Sequence, residues 1–485
     1  MSTKKDDAVH VTPTPATASD NLLDSSDIND ATSKRKTKKK SPYEYSHKKR
    51  KQQKQVKQGA QKNEKKKHFR RKTCDDSLKD SPNKGSYADP EMRKLYGVSV
   101  HRTATTAGAA SSDDSKRPKR KVALLIGYVG ESYAGFQINP GVKSIQAQIE
   151  LALYEAGFLS DLNFGFPHKY GWSNSARTDK GVHACAQVCS VKLLIHTPDD
   201  TDWQVEATEA INEKLPGDIR ILDIVRTTRN FCARVSRDRG RYMYLIPSFL
   251  FYERNKLRKL FESKGCLQSL EGKLTDEPLS EEQIQLLVPE FNKYRATPEN
   301  TKRLKEALKA YVGTHHFHNF TSRITSSDPQ SQRYIISFDV LDPVVGEDGM
   351  EWIPTLVLGQ SFVLNQIRKM VSLAVDAARG AADANVIMKA LDKDERMNIN
   401  LAPAQGLYLE MSYFTLYNER KNPDDPLDWT SKETPASKRH QDFKETKIIK
   451  HIMNEEAKKS NFLHYLWTQE FAFDKTRYEG AKKVI

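Results

Sequence analysis

Apolar residues in this chain form short periodic runs from Lys121 onward, whereas the first 116 residues show almost no such pattern. Residues 122–128 (VALLIGY) are a continuous apolar run with a glycine near its end, which is typical of a buried strand. Residues 182–195 alternate between apolar and polar for much of their length and also predict a strand. Further strands are predicted at 219–225, 231–235, 241–246, 333–341, 352–358 and 407–413.

Apolar residues at helical spacing separate these strands. Residues 144–158 place apolar side chains three and four residues apart, with Ser144 as the expected N-cap and Gly157 near the end. The longest apolar helix is predicted at 361–379, and further helices are predicted at 206–215, 302–312 and 447–471. Because many short strands alternate with helices, the pattern predicts an α+β fold.

Positive charge is concentrated near one end of the chain. The 485 residues carry a net charge of +15, but residues 34–72 contain 19 Lys and Arg against 2 Glu, so the remainder has a net charge of −2. The charge and the sparse apolar content predict that residues 1–116 are a disordered basic leader. Within it, 34–40 (KRKTKKK) and 48–51 (KKRK) are typical of nuclear-import signals, or of arms that hold RNA in a salt-dependent way.

The rest of the chain divides into four predicted segments: an N-terminal half at 117–248, a charged insertion at 249–301, a C-terminal half at 302–417 and a helical extension at 418–485. Five scattered cysteines do not form a disulfide framework, and no apolar run is long enough to span a membrane. The sequence also lacks a Walker loop and an HExxH motif. We therefore expect a protein of a reducing compartment, without a membrane partner, that does not hydrolyse nucleotides.

The densest candidate site lies at residues 175–184 (SARTDKGVHA). Arg177, Asp179 and Lys180 place three charges within four residues, just before a turn glycine. An aspartate followed by Lys-Gly is also common in ordinary hairpin turns, and composition alone favours that interpretation. The functional interpretation is a carboxylate nucleophile whose ionised form is favoured by the neighbouring cations.

Three further features could carry chemistry. His315, His316 and His318 form a cluster, but no further ligand lies nearby in the sequence, so we predict no metal site there. Tyr242 lies on an alternating strand, where it either packs in the sheet or stacks on a base. Arg368 lies on the apolar face of the long helix and therefore needs a carboxylate partner, which the pattern does not identify.

Several of these segments occur together in one known family. Residues 176–184 closely resemble the signature of the TruA family of tRNA pseudouridine synthases, with Lys180 as in its eukaryotic branch. Further motifs in the same order resemble that family at 126–137, 231–234, 241–244, 313–321, 360–371 and 402–409. The form of the histidine-rich segment, the insertion and the C-terminal extension are similar to the nuclear multisite enzymes of that branch.

The resemblance implies a fold, an activity and a set of site residues. The fold would be two α/β halves whose antiparallel sheets join around a central cleft. The activity would be isomerisation of specific uridines in tRNA to pseudouridine, without a metal or cofactor. By the same resemblance, the catalytic residues would be Asp179 as nucleophile, Tyr242 stacking on the base and Arg368 pairing with Asp179. The residues expected to contact substrate are Arg177, Lys180, His183 and Phe320.

The sequence leaves several alternatives open. The RNA substrate is tRNA alone, or tRNA together with small nuclear RNA and messenger RNA. Through its basic clusters the chain would bind a nuclear import receptor and act in the nucleus as a monomer. A mitochondrial paralogue of the same activity, a catalytically silent RNA-binding protein or tRNA chaperone, and a structural nuclear protein are the competing hypotheses.

Overall fold

One mixed sheet organises the computed structural model, which describes residues 87, 89–98, 117–195, 202–267, 277–421, 426–430 and 433–472. All of these belong to the unit Arg71–Ile485. The strands are β1 (Lys119–Tyr128), β2 (Ser173–Asn174), β3 (His183–Leu194), β4 (Ile219–Arg226), β5 (Arg239–Pro247), β6 (Gly313–His316), β7 (Gln332–Val340), β8 (Val344–Val345), β9 (Glu351–Gly359) and β10 (Leu407–Tyr413).

The strand order shows how the two predicted halves join. The main path of the sheet is β4-β1-β3-β10-β5-β9-β7-β6, with β2 paired to β3 and β8 paired to β9. Neighbouring strands are antiparallel except β3 and β10, which pair in parallel where His183 lies opposite Tyr408. The predicted α+β fold with joined, largely antiparallel sheets is confirmed. Strand β5 precedes the insertion in sequence but lies between β10 and β9, so the two sequence halves are interleaved.

Helices lie before, between and after these strands. They are α1 (Pro90–Leu95), α2 (Ile145–Glu155), α3 (Trp203–Lys214), α4 (Ala233–Ser236), α5 (Arg254–Ser263), α6 (Glu281–Lys293), α7 (Pro298–Lys309), α8 (Gln366–Ala378), α9 (Val386–Leu391), α10 (Thr415–Lys421), α11 (Pro435–Phe443), α12 (Lys450–Lys459) and α13 (Asn461–Trp467). The predicted cap of α2 forms, because the Ser144 side chain accepts a hydrogen bond from the backbone amide of Ala147. None of the helices in the described ranges is both long and apolar enough to cross a membrane.

Two predicted elements differ in the structure. Residues 231–235 were expected to be a strand, but the structure has the short helix α4 there. Buried Phe231 and Ala233 satisfy a two-residue period, and five residues are too few to separate that pattern from a helical turn. The helix predicted at 361–379 begins only at Gln366, because Asn365 adopts a left-handed backbone with a φ of 65°.

Part of the predicted leader is folded, which corrects its assignment as disordered throughout. Helix α1 lies within residues 1–116; Met92 on it and Tyr87 just before it are buried. The Tyr87 hydroxyl donates to the Ala147 carbonyl at 2.9 Å, and its ring stacks on Phe164 with centroids 4.7 Å apart. Both basic clusters, 34–40 and 48–51, lie outside the described residues.

The predicted insertion and extension contribute buried residues to the core. Helices α5 and α6 lie within the insertion, and Phe261 and Phe291 on them are buried. The final helical region begins at α11, twelve residues before the predicted start at 447, and a left-handed Ser460 with a φ of 51° separates α12 from α13. The extension therefore packs as several connected helices and not as one.

Candidate active site

The segment with the three predicted charges forms a loop between β2 and β3, here called the Asp179 loop (residues 176–182). The Val182 amide donates to the Asp179 carbonyl at 3.1 Å, and Gly181 adopts a φ of 77° that suits glycine in a turn. The Thr178 hydroxyl shares a hydrogen bond of 2.7 Å with Tyr128 of β1, and its carbonyl accepts from the Phe136 amide at 3.2 Å. The predicted turn is therefore present and is anchored on the first strand.

Asp179 lies where burial and electrostatics oppose each other. Burial raises the pKa of its carboxyl group, whereas the charge of Arg368 and a hydrogen bond from the backbone amide of Asn365 lower it. Asn365 is the N-cap of α8, so the positive end of that helix also favours a carboxylate. The carboxyl group is thus partly desolvated but has specific groups that favour its ionised form.

Arg368 lies in the first turn of α8, and the main chain holds its guanidinium. Its Nε donates to the Ala402 carbonyl at 2.6 Å. We expected a direct pair with Asp179, but the ion pairs of the described residues do not include one between these two side chains. The two charges still interact: Arg368 lowers the pKa of Asp179, and Asp179 raises that of Arg368.

Tyr242 and two exposed cations complete this part of the site. Tyr242 lies on β5, is 8% exposed and packs edge-on against Phe362, with ring centroids 5.2 Å apart. Arg177 and Lys180 lie on either side of Asp179 in the loop, and both are exposed. The loop therefore presents positive charge outward while its carboxylate lies inward, an arrangement that suits a polyanionic substrate.

A cavity of about 570 Å³ opens beside the Asp179 loop. Lys180 and Gly181 line it on one side, and Arg368 and Pro403 line another. The remaining wall comes from the C-terminal extension, including His464 and Tyr465. Asp179 itself does not line this cavity, which adjoins the carboxylate through its neighbours in the loop and through Arg368.

Comparison with known proteins identifies the family. Residues 307–415 match the family model described as tRNA pseudouridine synthase. The chain is 32% identical to tRNA pseudouridine synthase 1 of Yarrowia lipolytica over 65% of this chain and 67% of that protein. It is also 32% identical to tRNA pseudouridine(27/28) synthase of Saccharomyces cerevisiae over 71% of this chain and 97% of that protein. This chain belongs to the tRNA pseudouridine synthase family.

A mouse protein named pseudouridylate synthase 1 homolog is 32% identical over 73% of this chain and 74% of its own length. The relatives come from yeasts and a mammal, which agrees with the eukaryotic branch of the tRNA pseudouridine synthase family that the motifs predicted. The resemblance noted in the sequence is therefore confirmed at the level of the family.

Two residues predicted to contact substrate are buried in this tRNA pseudouridine synthase fold. His183 is 0% exposed, and burial lowers its pKa to about 3. Its Nδ1 accepts from the Gly130 amide at 3.0 Å, so its Nε2 donates to the Gln405 carbonyl at 3.1 Å. Phe320 is also 0% exposed and packs edge-on against Tyr311. Both side chains are enclosed by protein in this structure, so their burial gives no support to the predicted substrate contacts, which stay predictions.

Histidine and carboxylate groups that could hold a metal ion are engaged by protein atoms. His315, His316 and His318 bond to the Val312 carbonyl, the Ser331 hydroxyl and the Glu395 carbonyl, three separate partners. A second group, Glu131, His451 and Glu455, has ligand atoms within 4.8 Å of one another. The Lys459 ammonium forms ion pairs with the carboxylates of Glu131 and Glu455. This second group is therefore a salt-bridge cluster with its cation supplied by the chain.

Sequence reasoning missed the part of the site formed by residues distant in sequence. Residues 402–406 were noted only as a family motif, yet Ala402 holds Arg368 and Pro403 lines the cavity. Pro403 and Gly406 in this segment signal a turn, which was the one available clue. The contribution of the C-terminal extension to the cavity has no sequence signal that we recognise.

Proposed function

We propose that this chain isomerises uridines in tRNA to pseudouridine, with Asp179 as the nucleophile. The observation that carries the proposal is the position of Asp179: a partly buried carboxylate, on a loop anchored to β1, within the field of Arg368 and the N-terminus of α8. Family membership gives the reaction class. The names of the Yarrowia and Saccharomyces relatives support tRNA as the substrate.

The proposed reaction conserves all atoms of the nucleotide. The bond between uracil N1 and ribose C1′ breaks, the base rotates, and C5 forms the new bond to C1′. N1 gains a proton and C5 loses one, so the reaction requires neither an oxidant nor an energy source. Asp179 assists either by attacking C1′ or by promoting a glycal intermediate. Both routes need the carboxylate in its ionised form.

The surrounding residues have roles that follow from their positions. The target uridine must leave its stack at a cost of a few kcal/mol, and an aromatic ring at Tyr242 offers a surface on which the base can stack. Arg177, exposed on the loop, is placed to contact the RNA backbone or to fill the vacated position. Arg368 favours the ionised form of Asp179 and so maintains the nucleophile.

The deciding experiment incubates the purified full-length chain with unmodified tRNA transcripts and maps pseudouridine at single-nucleotide resolution. We expect product from the wild type and none from Asp179→Asn, with RNA binding retained by both. Product from Asp179→Asn would contradict the role of Asp179. If the wild type binds tRNA but makes no product, small nuclear RNA and messenger RNA should be tested next as substrates. Failure on those RNAs as well would favour the catalytically silent RNA-binding alternative.

We also propose that the protein acts in the nucleus, with small nuclear RNA and messenger RNA as additional substrates. The support is the pair of basic clusters at 34–40 and 48–51, which an import receptor can recognise. A fluorescent fusion should lose nuclear accumulation when the lysines and arginines of both clusters are replaced by alanine. Mitochondrial fluorescence of the wild-type fusion would favour the mitochondrial alternative.

A further inference from the structure

One short segment touches both the catalytic side chains and the C-terminal extension. This segment, residues 402–406, is here called the 402–406 turn, and its last three residues form a 3₁₀ helix at Ala404–Gly406. It lies directly before β10, the strand that joins the two parts of the sheet through β3. Each of its five residues makes a different contact, and together these contacts connect regions far apart in sequence.

Three contacts connect the turn to the catalytic machinery. The Ala402 carbonyl accepts from Arg368 Nε at 2.6 Å. The Gln405 carbonyl accepts from His183, which begins β3 directly after the Asp179 loop. A Cβ built on Gly181 in that loop would lie 3.2 Å from the Ala404 Cβ, so loop and turn are in close contact. The turn therefore contacts the Asp179 loop and also holds Arg368, whose charge lowers the pKa of Asp179.

The other face of the turn is held by the C-terminal extension through polar contacts of a single side chain. Gln405 Nε2 donates to Glu456 Oε2 at 3.0 Å, and the side-chain Nδ2 of Asn461 donates to Gln405 Oε1. Glu456 is only 2% exposed and also accepts from the backbone amides of Phe462 and Leu463. The carboxylate thus connects Gln405 to the start of α13.

Packing around Gly406 leaves little freedom for the turn to move. A Cβ built on Gly406 would lie 2.8 Å from Phe462 Cζ and 2.9 Å from the Leu245 carbonyl oxygen. The Tyr244 hydroxyl donates to the Pro403 carbonyl at 2.8 Å. A displacement of α13 must therefore be transmitted to the turn, because these contacts have no space to absorb it.

We propose that Gln405 is a positioning residue through which the C-terminal extension, by way of Glu456 and Asn461, holds the Asp179 loop and Arg368 in their reactive arrangement. This inference rests on the proposed function, since it assigns Gln405 a part in the same reaction. It gives the extension a role in turnover that is separate from any contact of its own with RNA.

A charge-swap cycle tests the proposal in the full-length chain. Gln405→Glu removes the donor to Glu456 and places a second carboxylate opposite it. Glu456→Gln removes the carboxylate and leaves two amides facing each other. The double variant Gln405→Glu/Glu456→Gln reverses the direction of the hydrogen bond and still gives Asn461 an acceptor.

The expected readout is a change in kcat and not in KM. Gln405→Glu should lower kcat on a tRNA transcript by about 10- to 100-fold, since displacing a catalytic group by about 1 Å has effects of that size. KM should stay within about threefold of the wild type, and the double variant should recover kcat to within the same factor. Wild-type kcat in Gln405→Glu, or no recovery in the double variant, would overturn the inference.

A matched control separates positioning from general loosening of the extension. Phe471 is another buried residue of the extension, and its ring packs against Phe261 of the insertion and against Trp467. Phe471→Ala should lower the melting temperature at least as much as Gln405→Glu while leaving kcat unchanged, because neither ring partner belongs to the 402–406 turn or to α8. An equal loss of kcat in Phe471→Ala would assign the effect to global loosening and contradict the proposal.

Hydrogen exchange provides a test that does not require activity. Backbone amides of residues 176–183 should exchange faster in Gln405→Glu than in the wild type and return to the wild-type rate in the double variant. If the wild type makes no pseudouridine, the proposed function fails, and these exchange rates still decide whether the turn holds the loop. If Gln405→Glu does not fold, Gln405→Ala removes the same contacts without adding charge and should show the same changes.

Discussion

Two segments of this chain are rich in polar and titratable residues and have different surroundings in the structure. The Asp179 loop carries Arg177 and Lys180 exposed to solvent and its carboxylate partly buried beside α8. The histidine-rich segment Gly313–Thr321 leads inward instead, and Phe317 and Phe320 are both 0% exposed. Polar residues are dense in both segments, so the density of reactive side chains does not by itself locate the proposed catalytic carboxylate.

The histidine-rich segment supports the helix that carries Arg368. Asn319 donates to the Ala390 carbonyl at 2.9 Å and accepts from the Met397 amide at 3.0 Å. The Lys369 ammonium of α8 donates to the Asn319 carbonyl at 3.4 Å, and Tyr311, two residues before the segment, donates its hydroxyl to the Met370 carbonyl of the same helix at 3.1 Å. The Asp179 loop therefore carries the proposed nucleophile, and the histidine-rich segment contacts α8, the helix that carries Arg368.

The largest expected effect is in the Asp179 loop, where a substitution should abolish activity without a loss of stability. Asp179→Asn should reduce pseudouridine formation to background. It should leave the free energy of unfolding at neutral pH unchanged or slightly higher, because burial raises the pKa of Asp179 and the ionised group therefore destabilises the fold. Mapping of pseudouridine and thermal unfolding measure the two quantities. A clear loss of stability would show that Asp179 also has a structural role.

The opposite result is expected in the histidine-rich segment. Phe320→Ala should lower the free energy of unfolding by about 3–5 kcal/mol, because it leaves a cavity beneath Tyr311 and Phe317. Denaturant unfolding measures the change, with Leu286→Ala as the control on a side chain that is 52% exposed. A loss of stability near zero, with weakened RNA binding, would instead support the predicted role of Phe320 as a substrate contact.

Local rules predicted much of the fold and one part of the site. The cap at Ser144, the strand Leu407–Tyr413 and the turn at Gly181 depend on residues close in sequence, so their patterns were sufficient. The family resemblance then predicted that Asp179 and Arg368 belong to one site. The structure brings their charges close enough to affect each other's pKa.

The rest depended on packing between distant segments. Nothing near Phe320 or His183 in sequence indicates that each is fully enclosed, because the residues that cover them come from other elements. The start of α8 was misplaced since a non-glycine residue, Asn365, adopts the left-handed backbone there. The link from Gln405 to Glu456 spans 51 residues and has no periodic signal.

A smaller effect concerns how Arg368 on α8 sets the pH dependence of kcat. The charge of Arg368 lowers the pKa of Asp179, so Arg368→Met should raise it further. Since the reaction needs the ionised carboxylate, kcat falls as pH decreases through this pKa, and the acidic limb should move to higher pH in the variant. The pH profile of kcat on a tRNA transcript measures this. Arg303→Met, at an exposed ion pair with Glu299, should leave the limb in place.

The smallest effect concerns the outward face of the loop. Lys180 is exposed and lines the cavity, where a phosphate contact would release counterions. Lys180→Ala should weaken tRNA binding uniformly across sequences and reduce the slope of log K against log salt by about 1. His316→Gln, which replaces a histidine bonded to Ser331 in the other segment, should leave both the slope and the affinity unchanged. Equal slopes for wild type and Lys180→Ala would remove Lys180 from the RNA interface. A shift with His316→Gln would instead extend that interface to the histidine-rich segment and end the distinction between the two.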